Sequence, residues 1–413
     1  MLRRPVRSLL ATCVLVPALV AAFAAVGGCG DDGGGVALKW WDYYGDLPST
    51  NKALSSLIDQ YEKAHPNVSI ERTTIGFNEL KAKIVQGAAT GDLPDIVIVD
   101  NPDHQALADQ GALADLTSQV SRWSGRDAYL PGPWQSTVYR GRNYGIPFAS
   151  NATALYYNAD DLERAGVSPP ADWTELRSAA ARLTTSERSG FCFSAAASEE
   201  GTFTFLPFLW QAGGDLRPFG NSATVDALSL WDDLVNVDRS APREVVTWTQ
   251  DDVYNAFISG RCAMMINGPW QLSRFETDKV EFRWEVAPSP RNVRSASALG
   301  GENFAIGKGT HTEAAWDVLT WMAEPGHVRE ALVASGFLPN RKDMVDDPAF
   351  SGRNVNVFVA QIEIARPRAY GPAYPQVSSI VSRTFQQTLT GQKTPQQAVA
   401  EAAPEIEQLL DRP

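Results

Sequence analysis

Cysteine and histidine are scarce in this chain of 413 residues, which contains four of each. No two cysteines have the spacing of a structural zinc site, and the histidines are too scattered to form a metal-ligating cluster. Runs rich in lysine and arginine are also missing, and the formal net charge is −12. The sequence therefore predicts no metal site and no cofactor, and it argues against nucleic acid as a partner.

Sequence signatures of catalysis are missing as well. The chain has neither the Gly-x-Ser-x-Gly of a hydrolase nucleophile nor the His-Glu-x-x-His of a zinc protease. The segment 301–309 differs from a phosphate-binding loop in its spacing, and Lys308 is followed by Gly309 instead of serine or threonine. A carboxylate pair for glycoside hydrolysis stays open, since a sequence does not reveal the distance between acidic side chains. We predict that the protein is not an enzyme.

The composition is that of an ordinary globular chain. Hydrophobic residues make up 44% and charged residues 20% of the sequence, so neither a disordered chain nor one with many membrane spans is expected. The length exceeds what a single hydrophobic core usually serves, which predicts two domains or lobes.

The N-terminal segment has the pattern of an export signal. Arginines precede an apolar segment, and small residues then lead to a cysteine, as in secretory signals. These features are Arg3, Arg4 and Arg7, the apolar segment 9–26, and Cys29. Val-Gly-Gly-Cys at 26–29 resembles a bacterial lipobox, which implies cleavage before Cys29 and a lipid on its side chain. We predict a signal peptide at residues 1–28, and the lipidated cysteine with a flexible tether at 29–35. A transmembrane anchor is the alternative, although Pro17 and the small residues favour cleavage.

Short strands alternate with amphipathic helices in the next part of the chain. Strands are predicted at 36–41, 68–74 and 95–100. In the first intervening helix, Leu54, Leu57, Ile58 and Tyr61 recur with helical spacing. This alternation with short links is typical of βαβ units and predicts an α/β fold with a parallel sheet.

A later apolar run at residues 262–266 predicts a strand that is buried on both faces, as in a parallel sheet covered by helices. Asn267, the turn Gly268–Pro269 and Trp270 follow it. Ligands of open α/β sheets lie beyond the carboxyl ends of the strands, so the indole of Trp270 is a candidate platform for a sugar ring. Packing of this ring into the core is the alternative interpretation.

Two cysteines, Cys192 and Cys262, remain after removal of the predicted signal and lipidation of Cys29. The predicted exported location permits oxidation, but the sequence does not give the distance between the two side chains. They form either a disulfide or two buried thiols, and their apolar surroundings slightly favour the thiols.

Short motifs occur along the chain in the order typical of one protein family. They are Lys39-Trp40-Trp41, Gly-Asp-Leu-Pro-Asp-Ile at 91–96, Gly-Ile-Pro-Phe at 145–148, Leu-Tyr-Tyr-Asn at 155–158, Gln-Ala-Gly-Gly at 211–214, Gly-Pro-Trp at 268–270 and Gly-Gly-Glu-Asn at 300–303. Their succession behind a lipobox resembles the extracellular solute-binding proteins, family 1, of ABC sugar importers, the maltose-binding type. The resemblance covers nearly all of the predicted mature chain. It implies a periplasmic-binding-protein-like fold of type II, in which two α/β lobes joined by a hinge enclose a ligand cleft.

The resemblance also implies a chain that crosses between the lobes more than once. The crossings are placed at 148–151, 299–303 and 338–344. The first lobe is then predicted to comprise residues 36–149 and 300–340, and the second lobe residues 150–299 and 341–413.

Aromatic and polar side chains gather at the predicted strand ends, where the resemblance puts the cleft. A sugar site needs flat apolar rings together with side chains that donate and accept hydrogen bonds. The candidates are Tyr43, Tyr44, Phe77, Asp100, Asn151, Asn267, Trp270, Glu302, Asn303, Arg368 and Tyr374. Arg368 and Tyr374 are included among the candidates because the resemblance implies a binding loop in this C-terminal part of the chain. As alternatives, Asp100 would cap the next helix and Arg368 would form a surface ion pair.

We therefore expect an extracytoplasmic substrate-binding lipoprotein of an ABC importer, anchored to the cell membrane by its lipid. As a monomer, it would capture a sugar or oligosaccharide between its lobes and deliver it to the permease subunits of the membrane. The first alternative is the same fold with a glycerophosphodiester, a polyamine or an oligopeptide as ligand. The others are an exported carbohydrate-active enzyme and a purely structural surface lipoprotein.

Overall fold

The computed structural model describes residues 35–309 and 311–411. The predicted signal peptide, the predicted lipid attachment at Cys29 and all but the last residue of the predicted tether lie outside the described residues. None of the helices in this part of the chain combines the length and hydrophobicity that a membrane span requires.

Eleven strands form three sheets within the described residues. The strands are β1 (Val36–Asp42), β2 (Val68–Thr74), β3 (Ile96–Asp100), β4 (Val138–Tyr139), β5 (Arg142–Asn143), β6 (Gly145–Asn151), β7 (Ala154–Asn158), β8 (Met264–Asn267), β9 (Trp284–Ala287), β10 (Ser297–Ile306) and β11 (Ala365–Pro367).

Sixteen α-helices accompany them in the same part of the chain. The helices are α1 (Pro48–Ala64), α2 (Phe77–Thr90), α3 (Asn101–Asp109), α4 (Thr117–Arg122), α5 (Pro131–Ser136), α6 (Ala159–Ala165), α7 (Trp173–Leu183), α8 (Glu199–Gln211), α9 (Ser222–Asp232), α10 (Gln250–Ile258), α11 (Leu272–Thr277), α12 (Thr312–Met322), α13 (Pro325–Ser335), α14 (Arg353–Glu363), α15 (Tyr374–Leu389) and α16 (Pro395–Leu410).

The largest sheet has the strand order β11-β10-β3-β1-β2, and β6 also pairs with β10. Strand β1 runs parallel to both β2 and β3, as the βαβ pattern predicts. Neighbouring residues of β3 pack into different hydrophobic clusters, with Ile96 and Ile98 on one face and Val97 and Val99 on the other. Because side chains alternate across a strand, this sheet needs an apolar cover on both faces. The carboxyl ends of its three parallel strands meet at one edge.

The second sheet has the order β8-β7-β9, and both of its pairings are antiparallel. All four residues of β8 are buried, in agreement with the apolar run. The sequence predicted that this strand belongs to a parallel sheet. That prediction is wrong, because β8 pairs antiparallel with its neighbour β7. Parallel pairing is limited to isolated bridges from Ser189 to Cys262 and from Cys192 to Met265. A continuous apolar run reports burial of both faces and carries no information about the direction of the neighbouring strand.

Three chain segments lie side by side at the ends of β6 and β10 in the largest sheet. Gly300 of β10 pairs with Asn151 of β6, and Ser150 exchanges two backbone hydrogen bonds of 3.0 Å with Leu338. Each segment lies at a predicted crossing between lobes. The lobe boundaries themselves stay a prediction.

Cys192 and Cys262 form a disulfide, with their Cα atoms 6.0 Å apart. The slight preference for two buried thiols is therefore wrong. The bridges that align residues 189–192 with residues 262–265 bring the two cysteines together. Such an alignment depends on tertiary pairing across 70 residues of sequence.

Candidate ligand-binding site

A cavity of about 340 Å³ opens where the ends of β1, β2 and β3 face the segment that follows β8. Three of the predicted aromatic residues form one wall of this cavity. The ring of Tyr43 lies 4.9 Å from that of Tyr44 and 5.0 Å from that of Phe77, measured between centroids. Tyr43 and Tyr44 follow β1, while Phe77 is the first residue of α2 and follows β2. The carboxyl ends of two parallel strands thus bring these rings together.

A buried ion pair holds the tyrosine turn in place. Asp42, the last residue of β1, is fully buried and accepts two hydrogen bonds from Arg72, at 2.6 and 2.9 Å. The same carboxylate accepts a hydrogen bond of 3.0 Å from the backbone N–H of Tyr44. Because the guanidinium and the carboxylate are both planar, this bidentate contact fixes the direction in which the chain leaves the strand.

Trp270, which follows β8, extends the aromatic lining of the cavity. It is partly buried, lines the cavity, and lies 6.4 Å from Phe337 and 6.5 Å from Phe203 between ring centroids. A Cβ atom at Gly268 would be 1.9 Å from the indole, so the turn needs glycine for this ring position. Both interpretations of the sequence have a structural counterpart, since the ring packs against the hydrophobic clusters and also faces the cavity.

Arg368 and Asp100 form the polar part of the wall. Arg368 is 5% exposed, and its guanidinium lies 3.1 Å from Asp100, contacts Glu199, and covers the ring of Phe203 at 4.5 Å. The alternative of a surface ion pair is therefore wrong for Arg368. Asp100 precedes α3, but its side chain makes no capping hydrogen bond. Burial raises the pKa of Asp100 to about 7, against the opposing effect of Arg368.

Glu302 faces the same cavity from β10, and none of its hydrogen-bond partners in residues 35–309 and 311–411 is a cation. One carboxylate oxygen accepts a hydrogen bond of 3.2 Å from Asn151, at the end of β6. Burial raises the pKa of Glu302 to about 8, and the nearby carboxylate of Asp100 contributes to this rise. Glu302 is thus largely protonated at neutral pH when the cavity holds no ligand.

Several polar atoms of the cavity wall are buried without a hydrogen-bond partner among the described residues. They are the hydroxyls of Tyr43 and Tyr44, the second carboxylate oxygen of Glu302, and Nε of Arg368. Burying a polar group without a partner costs free energy, so nearly all such groups in folded proteins are paired with protein or water. These unpaired donors and acceptors, gathered at one cavity, indicate a binding site for a polar ligand.

Three candidates lie behind the cavity wall instead of lining it. Asn303 follows Glu302 in the strand, so its side chain points to the other face and donates a 3.0 Å hydrogen bond to Ser136. Tyr374 donates a hydrogen bond of 2.7 Å to Glu199, and Asn267 donates one of 2.8 Å to the carbonyl of Gln250. Both partners line the cavity, so these two residues support its wall.

Sequence reasoning missed several residues that line the cavity. Glu199, Glu200 and Phe203 come from the first turns of α8, and Phe337 precedes the third crossing. A serine followed by two glutamates and an apolar run is a recognised helix start, so the beginning of α8 was readable. Its position opposite β3 depends on the tertiary structure. Among the described residues, no group of three or more metal-binding side chains has a geometry that would hold an ion.

Solved structures share this architecture, and curated relatives match the chain in sequence. An ABC transporter solute-binding protein of Thermotoga lettingae bound to α-D-tagatose is 25% identical, with a TM-score of 0.85 over 91% of this chain and 100% of that chain. Maltose-bound MalE3 of T. maritima is also 25% identical, with a TM-score of 0.83 over the same shares. A curated lipoprotein of Streptomyces antibioticus is 25% identical over 72% of this chain and 66% of its own length.

These matches confirm the predicted fold, which is that of the MalE-type periplasmic binding proteins. The family model of the bacterial extracellular solute-binding proteins matches residues 56–357, which is well over half of the chain. The predicted family resemblance is confirmed, and the protein belongs to the bacterial extracellular solute-binding proteins.

Proposed function

We propose that the protein captures a sugar or short oligosaccharide in the cavity and delivers it to the permease subunits of an ABC importer. It acts outside the cytoplasm as a monomer, anchored to the cell membrane through a lipid on Cys29. The relatives bound to tagatose and maltose support a sugar as the ligand class. The relative described as a lipoprotein supports the anchor.

One observation carries the sugar proposal. Several aromatic rings line the cavity together with unpaired polar atoms of Tyr43, Tyr44, Glu302 and Arg368. A pyranose or furanose ring presents apolar faces and a rim of hydroxyls, which suits stacking and hydrogen bonding at the same time. Unpaired buried polar groups lower stability, so a purely structural lipoprotein would not be expected to gather them at one cavity.

The alternative of a glycerophosphodiester is less favoured by the charges. A phosphate needs unpaired cations or helix N-termini, whereas the guanidinium of Arg368 already contacts two carboxylates. An exported carbohydrate-active enzyme would need paired carboxyl groups on either side of a bound glycosidic bond. Carboxyl groups do line this cavity, so their presence does not separate the two functions. The family consists of solute-binding proteins, and on that ground we assign capture without turnover.

We also propose the division into lobes at residues 36–149 with 300–340 and at residues 150–299 with 341–413. The three predicted crossing segments lie side by side, which supports this division, because a hinge needs its crossings close together. A ligand that contacts both lobes favours the closed state by its differential affinity.

A calorimetric and thermal-shift screen over mono- and oligosaccharides tests this function. We expect at least one sugar to raise the melting temperature, to bind without product formation, and to reduce the radius of gyration in solution scattering. Release of new sugars would contradict capture without turnover. The absence of any saccharide that binds would contradict the assigned ligand class.

Trp270→Ala should weaken binding of that sugar by about 1–3 kcal/mol, because it removes a stacking platform. Isothermal titration calorimetry measures this change. Trp321→Ala is the matched control, since Trp321 is also partly buried but lies on α12, outside the cavity. Unchanged affinity together with a large fall in melting temperature would show that Trp270 serves only the core.

A further inference from the structure

The charges around the cavity carry information about the ligand beyond its ring and hydroxyls. Seven aspartate or glutamate residues line the cavity, against one basic residue, Arg368. The positive charge of Arg368 is shared between Asp100 and Glu199. This arginine therefore does not neutralise the remaining carboxylates.

The other lining carboxylates have few cations within reach. Asp251 pairs with Arg274 at 2.8 Å. Glu200 accepts hydrogen bonds only from neutral donors, namely the side chain of Asn78 at 3.0 Å and the backbone N–H of Gln250 at 2.7 Å. Such donors orient a carboxylate without cancelling its charge. Two of the seven acidic lining residues, Asp46 and Glu79, are exposed, so water screens their charges. The buried carboxyl groups remain, and a cation that binds beside them would favour their ionised forms.

Glu302 is the lining carboxyl group that, in the described part of the chain, most clearly lacks a hydrogen-bond partner for one of its oxygens. It is 6% exposed, and one of its oxygens has no partner among the described residues. The polar and titratable groups that face it are Asn151, Asp100, Arg368 and the hydroxyls of Tyr43 and Tyr44. The arginine contacts Asp100 and Glu199 instead. A cation brought in by the ligand would supply both a hydrogen-bond donor and a compensating charge.

On the basis of the proposed function, we propose that the natural ligand is an amino sugar or an oligosaccharide that contains one, with its protonated amino group against Glu302. The hydroxyls of the same ligand pair with the two tyrosines, and its ring faces contact Trp270 and Phe77. A neutral sugar would give the Glu302 carboxyl a hydrogen-bond partner, but no charge that favours its ionised form. Recognition of the ammonium is therefore a determinant of specificity in this cavity.

Matched saccharides test this assignment on the full chain by calorimetry at pH 7.5. The probes are glucosamine, galactosamine and the β-1,4-linked glucosamine dimer, each compared with its hydroxyl parent and its N-acetyl derivative. We expect at least one amine to bind more than about tenfold more tightly than both neutral matches, since a charge-assisted hydrogen bond contributes on this scale. Glu302→Gln should weaken binding of that amine about tenfold or more, and by a larger factor than it weakens binding of the neutral match.

Proton release provides a readout that does not depend on the variant. At pH 6.5 the free amine is protonated and burial keeps the Glu302 carboxyl of the empty cavity protonated as well, so an ammonium that drives ionisation of Glu302 releases a proton. The binding enthalpy of an amine should then change with the ionisation enthalpy of the buffer, and that of a neutral sugar should not.

The possible results separate the two proposals. Equal or tighter binding of the neutral member in every matched set would overturn the amino-sugar assignment and leave the sugar-binding function intact. The amino-sugar assignment is also overturned if an amine binds without proton release and the Glu302→Gln variant still binds that amine more tightly than its neutral matches. Failure of every amine and every neutral sugar to bind would overturn both.

Discussion

Arg368→Met should lower the free energy of unfolding by about 3–5 kcal/mol at pH 7.5, as is typical when one partner of a buried ion pair is removed. The side chain of Arg368 is 3% exposed, and those of its partners Asp100 and Glu199 are 10% and 11% exposed. Without the guanidinium, two buried carboxylates face each other with no cation between them. Urea denaturation followed by circular dichroism measures the loss, which should shrink at pH 5 as the carboxyl group of Asp100 binds a proton.

The pair Arg383–Glu405 offers a matched control for this experiment. Both of its side chains are 45% exposed, so Arg383→Met should change stability by no more than about 1 kcal/mol. Asp100→Asn in the Arg368→Met background should recover part of the loss, because it removes one of the opposed charges. If Arg368→Met is as stable as Arg383→Met, the buried pair does not hold these segments together.

Glu302→Gln should make the stability of the protein less dependent on pH. Burial raises the pKa of Glu302 from its ordinary value of 4.5 to about 8. A raised pKa means that the neutral carboxyl is favoured in the folded state, so its stabilising effect is complete below about pH 4.5 and is lost as pH rises toward 8. Over that window, the slope from one such group approaches about 1.4 kcal/mol per pH unit. Replacement by the neutral amide removes this contribution.

Denaturation at pH 5.0, 6.5 and 8.0 checks the prediction on the ligand-free protein. We expect Glu302→Gln to resemble the wild type at pH 5.0 and to exceed its stability increasingly at the two higher values. Glu405→Gln serves as an exposed control without this trend. Parallel pH profiles for wild type and Glu302→Gln would contradict the assigned pKa shift.

Much of the first sheet was readable from local pattern. The helical spacing of Leu54 and Leu57, the apolar residues of β3 and the short links predicted strands and helices that the structure confirms. The direction of a strand relative to its neighbours could not be predicted from the sequence where the neighbours are distant in the chain. The run at 262–266 was correctly predicted to be buried, yet its main neighbour β7 runs antiparallel.

The residues of the candidate site also fall into those that local sequence pattern predicted and those that depend on tertiary structure. Tyr43, Phe77 and Asp100 lie at the carboxyl ends of parallel strands, so a rule about sheet edges was enough to place them at the cavity. Asn303 shows the limit of that rule, because its neighbour Glu302 occupies the face that looks into the cavity. Glu199 and Phe203 were missed because a helix start in sequence does not reveal what it faces.

By itself, the sequence determined the α/β class, the family resemblance and the residue types that gather at strand ends, since these depend on period, composition and the order of local motifs. Only the tertiary structure decided that Cys192 and Cys262 are joined, that Arg368 lies between Asp100 and Glu199, and that Glu302 is left without a cation. Charge compensation and cross-linking depend on distances of a few ångströms between residues far apart in the chain. Those distances are set by how the two sheets and their helices pack.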